Sequence, residues 1–79
     1  MLIVDTLKTW REAERLLKDL PPVDPDHETV RLLVIQLRTM YASLSESRDL
    51  SADVINASQA QLDDARALLR RLRQGEPAA

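Results

Sequence analysis

Between Asp26 and Gln74 the chain contains neither glycine nor proline. The four prolines stand outside that stretch, at positions 21, 22, 25 and 77, and the single glycine is Gly75. Helices tolerate so long a run without a strong breaker. Sheets rarely do, because short strands need frequent turns rich in Gly, Pro, Asn and Asp. Phenylalanine is absent and β-branched residues are few, which weakens a sheet further. The expectation is an all-α fold.

Apolar spacing divides the chain into three helices. Ile3, Leu7, Trp10, Ala13, Leu17 and Leu20 share one helical face, widened by Leu16. They predict a first helix from about Asp5 to Leu20, with Asp5 or Thr6 as its cap. Pro21 and Pro22 stop it, because a residue before proline leaves the helical region. The run Asp24-Pro25-Asp26-His27-Glu28 opens a second helix: Asp24 caps, Pro25 fits the first position, and acids suit the positive end of the dipole. Its seam is Val30, Leu33, Leu37, Met40 and Leu44, broadened by Val34 and Tyr41. A polar stretch at 45–51 reads as a turn, with Asp49 or Ser51 capping a third helix that runs to about Gln74. That helix carries Ser51, Ile55, Ser58, Leu62, Ala65, Leu69 and Leu72 in four-three alternation.

The expected architecture is a three-helix antiparallel bundle, with helices near 5–20, 25–45 and 50–74. The alternative is a short first helix packed on one continuous helix over 26–74. The seam changes phase between 44 and 55, which favours the hairpin. The expected core contains Leu7, Trp10, Leu17, Leu33, Leu37, Met40, Leu44, Ile55, Leu62, Leu69 and Leu72. One domain is expected over 1–75, with a frayed tail at 76–79.

Composition narrows the chemistry. Burial on folding a chain of this size contributes on the order of 115 kcal/mol, against about 120 kcal/mol of conformational entropy. Small domains close such a gap with disulfides, metal, regular helix packing or oligomerisation. There is no cysteine and only one histidine, which excludes disulfides and makes a zinc site a poor expectation. The net charge of −2 sets no demand for nucleic acid or an anionic membrane. The opening Met1-Leu2-Ile3-Val4-Asp5 is too short for a signal-peptide apolar region, and no apolar run reaches a membrane-spanning length. A cytoplasmic protein is the expectation. Arginine dominates over lysine, and alanine and leucine are abundant, the bias of a GC-rich bacterial genome.

Catalytic signatures are missing. Ser45, Ser47 and Ser51 lack a Gly-x-Ser-x-Gly elbow, and no glycine-rich loop cradles a phosphate. Asp24, Asp26, His27 and Glu28 resemble a metal cluster, but residues two apart on a helix point to different sides. They read instead as an acidic helix start. No enzyme activity, cofactor or metal is expected. Trp10 and Tyr41, the only aromatics, fall on the apolar seams and read as packing residues.

Two surfaces remain. Arg66, Arg70 and Arg73 form one strip of the third helix, with Arg71 beside it. They are possible phosphate ligands of a nucleic-acid-associated regulator. Against that, cations belong at a helix C-terminus, and no aromatics interleave for base stacking. The second surface is on the second helix. Leu32, Ile35, Thr39 and Ala42 run along the side opposite the seam, bordered by Arg31 and Arg38 on one edge and Gln36 and Ser43 on the other. One helix of a bundle needs a single apolar arc, so Leu32 and Ile35 are surplus to the core. The function expected is a non-catalytic protein–protein interaction module with a regulatory, adaptor or assembly role. Arg31, Leu32, Ile35, Arg38, Thr39 and Ala42 would bind a protein partner or a second copy, most simply as a dimer.

Overall fold

The computed structural model describes residues 1–46 and 51–74. Three helices account for almost all of them: α1 (Leu2–Asp19), α2 (Pro25–Glu46) and α3 (Ala52–Arg73). Their ends follow from local chemistry. The Leu20 backbone is extended, at φ −89° and ψ 127°, as a residue before proline must be. Asp24 Oδ1 accepts from the Asp26 amide at 2.8 Å, capping α2. Ser51 is extended, and its Oγ accepts from the Val54 amide at 3.3 Å, capping α3. That cap, with α2 ending at Glu46, separates α2 from α3 and rules out one continuous helix over 26–74. Asp49, the other cap candidate, and the expected tail at 76–79 lie outside the described residues.

α1 begins earlier than expected. Asp5 and Thr6 lie inside it rather than capping it, and the Asp5 amide donates to the Met1 carbonyl at 3.0 Å. Asp5 still suits the positive end of the dipole, one turn further in than a cap would stand.

The core is Ala13 from α1, Val30, Leu33, Leu37, Met40 and Leu44 from α2, and Leu62, Ala65 and Leu69 from α3. The whole predicted seam of α2 is buried. α1 departs from expectation. Its most buried residues are Thr6, Thr9 and Ala13, so the helix is rolled towards its threonines. Trp10 and Leu17 are half-buried against the core, and Leu7 is half-buried away from it. Threonine can sit there because its hydroxyl is satisfied within its own helix. Thr6 Oγ1 donates to the Leu2 carbonyl and Thr9 Oγ1 to the Asp5 carbonyl, each at 2.8 Å. Small side chains on this face let a neighbouring helix approach closely.

α3 departs as well. Ile55 was expected in the core and is 39% exposed. The reason is register. Asp5 pairs with Arg66 and Glu12 with Arg73, so α3 runs parallel to α1 at an offset of 61 residues. At that offset residues 52–61 lie beyond the start of α1. Residues 52–57 are all exposed, and full burial begins only at Leu62. Leu72 is half-buried. No helix of the described residues is long and apolar enough to cross a membrane.

Candidate functional site

Two surfaces can act on other molecules. The first is the outer strip of α2. Because Val30, Leu33, Leu37, Met40 and Leu44 turn inwards, the residues half a turn away must turn outwards. Arg31, Leu32, Ile35, Arg38, Thr39 and Ala42 are all exposed. Leu32 is 46% and Ile35 38% exposed. One edge of the strip is held in place by Arg31 and Glu28. Arg31 Nε donates to Glu28 Oε2 at 2.9 Å, and Nη2 donates to Oε1. This two-pronged hydrogen bond, with the guanidinium charge behind it, holds the Glu28 carboxyl below its ordinary value. It raises Arg31 in turn. Arg38 makes no ion pair among the described residues.

Tyr41 stands on the inner side of α2, half-buried. Its ring packs on Trp10 with centroids 5.7 Å apart and planes tilted by 45°, an aromatic pair at the edge of the α1–α2 contact. Trp10 Nε1 is buried there with no hydrogen-bond acceptor among the described residues.

The second surface is a groove of about 610 Å3 between α1 and α3. Arg66, Arg70 and Arg73 all line it, as their strip on α3 predicts, together with Lys8, Thr9, Glu12 and Gln74. Lys8 was not among the sequence candidates. Nothing in the sequence marks it, because its place beside the arginines comes from the α1–α3 register. Two of the three arginines are already engaged. Arg66 lies 3.6 Å from Asp5 and Arg73 lies 3.5 Å from Glu12.

Asp24, Asp26, His27 and Glu28 do not converge. Asp24 is spent on its cap and Glu28 on Arg31, and no three metal-ligating side chains gather among the described residues. A further apolar pair, Val54 at 47% and Ile55 at 39% exposure, lies on the overhanging start of α3. The sequence placed Ile55 inside, so this exposure could be found only from the register. No protein-family model, curated protein or solved structure matches the chain.

Proposed function

We propose that the chain is a small non-catalytic helical interaction module that pairs with a second copy of itself through α2. The observation that carries this reading is the exposure of Leu32 and Ile35 on a helix whose opposite face supplies most of the core. The arrangement of sizes argues for a second copy. The bulky residues of the strip, Leu32 and Ile35, lie in its N-terminal half. The small ones, Thr39 and Ala42, lie in its C-terminal half. Two such strips crossing antiparallel about a two-fold midway between Ile35 and Thr39 set Leu32 against Ala42 and Ile35 against Thr39, bulky against small, which is self-complementary.

The energies are modest. Roughly half of each apolar side chain is already covered, so covering the rest yields about 1 kcal/mol apiece before the cost of association. The reading is therefore of a reversible dimer.

Sedimentation velocity over a concentration series tests it. The native chain should shift from monomer to dimer as concentration rises. Leu32→Glu with Ile35→Glu should remain monomeric with unchanged helical circular dichroism. Val54→Glu with Ile55→Glu, on the other exposed apolar pair, should still dimerise. A native chain that is monomeric throughout, or a dimer lost only in the α3 variant, would falsify the α2 interface.

A further inference from the structure

The wall between α1 and α3 is built as three rungs. The outer two are ion pairs, Asp5 with Arg66 and Glu12 with Arg73. At the offset of 61 residues that both share, Lys8 lies level with Leu69 and Arg70. Lys8 and Arg70 both line the groove. The middle rung therefore sets a cation against a cation, and neither makes an ion pair among the described residues. On α3, Arg66 and Arg73 stand one turn to either side of Arg70, so its nearest neighbours along the helix are also positive, whereas on α1 Lys8 stands between Asp5 and Glu12, the acids that Arg66 and Arg73 already engage. Four cations meet two carboxylates, an excess of two positive charges. Thr9 carries no charge to offset it, and its hydroxyl proton is donated to the Asp5 carbonyl.

We infer that Lys8 and Arg70 form a binding site for a small phosphate anion of the size and charge of pyrophosphate. An excess of two charges matches a multiply charged anion better than a single carboxylate. Arginine offers phosphate a two-pronged hydrogen bond, while lysine adds a point charge. Bound between them, the anion turns the repulsive rung into an attractive one and fastens α3 to α1. A nucleic acid is a poorer match. No aromatic side chain lines the groove for stacking, and two free cations neutralise too few phosphates for a long polyanion.

The test is calorimetric titration of the full chain with sodium pyrophosphate at constant ionic strength. The native protein should show one saturable site. Lys8→Gln and Arg70→Gln should each weaken it by roughly tenfold to a hundredfold, the range for losing one charged hydrogen-bond partner. Arg71→Gln, which alters an exposed cation outside the groove, should bind as the native protein does. Absence of a saturable site overturns the proposal. So does an equal loss in Arg71→Gln, which would show general charge attraction, or tighter binding of a short DNA duplex than of pyrophosphate. Arg70→Glu supplies a second readout, because it makes the middle rung an opposite-charge pair and sets an acid between Arg66 and Arg73. Its melting temperature without anion should rise while pyrophosphate binding disappears, and a fall in melting temperature overturns the repulsive-rung premise. None of these variants touches Leu32 or Ile35, so failure here leaves the α2 interface standing, and the reverse.

Discussion

Trimming Leu37 to alanine opens a space that its neighbours cannot fill. The residue is 1% exposed at mid-length of α2, in the cluster that Leu62 and Leu69 complete from α3. Leu37→Ala should cost about 2–5 kcal/mol, combining lost transfer energy with a residual cavity. Urea unfolding followed by circular dichroism would measure it. Ile55→Ala should change stability by no more than about 0.5 kcal/mol, because the side chain stands on the overhanging turns of α3. A cost for Ile55→Ala approaching that of Leu37→Ala would mean that the first turns of α3 are packed after all. Both residues sit on a clean four-three seam. Periodicity reports which side of a helix is apolar, but says nothing of how far along its length a neighbour reaches.

The three helices were legible to different degrees, for reasons that belong to each. α2 has a breaker before it, a side-chain cap, and five large aliphatic residues on one face, all of them buried. On that face apolarity and burial coincide, so the pattern suffices to place the core, while Leu32 and Ile35 on the opposite face stay exposed. α1 has Leu7, Trp10 and Leu17 on the face that hydrophobicity selects, yet it turns Thr6, Thr9 and Ala13 inwards. The gain is a close approach between helices, which depends on small volume rather than apolarity, and threonine hides its polarity by bonding its own backbone. The same limit concealed Lys8, whose role depends on which α3 residue lies beside it. This roll of α1 can be checked by substitution. Ala13→Leu should destabilise by about 1–3 kcal/mol, since the close contact has no room for the added carbons. Leu7→Ala should cost only about 1 kcal/mol from partly buried methylenes. The reverse ranking in thermal or urea unfolding would put Leu7 at the contact and Ala13 off it.

For the molecule as a whole, stability and association should be linked. The core joins all three helices, but among the described residues α3 contributes only Leu62, Ala65 and Leu69 as buried residues, and its residues 52–57 are all exposed. A chain of this size with no disulfide has a small margin of stability. If α2 pairs with a second copy, part of the stability comes from mass action, because the dimer requires folded chains. The melting temperature of the native protein should then rise with protein concentration. A melt that follows the folded monomer alone has no such dependence. The Leu32→Glu, Ile35→Glu variant should melt at one temperature across the series, and that temperature should match the dilute limit of the native protein. Both substituted side chains are already partly exposed, so the charges do not enter the core and the monomer retains its fold. Melting curves over a hundredfold range of concentration separate the outcomes. A native midpoint that does not move, at concentrations where sedimentation shows dimer, would mean that the interface survives between unfolded chains or forms without selecting the folded α2. Either result removes the face formed by Leu32 and Ile35 as the basis of association.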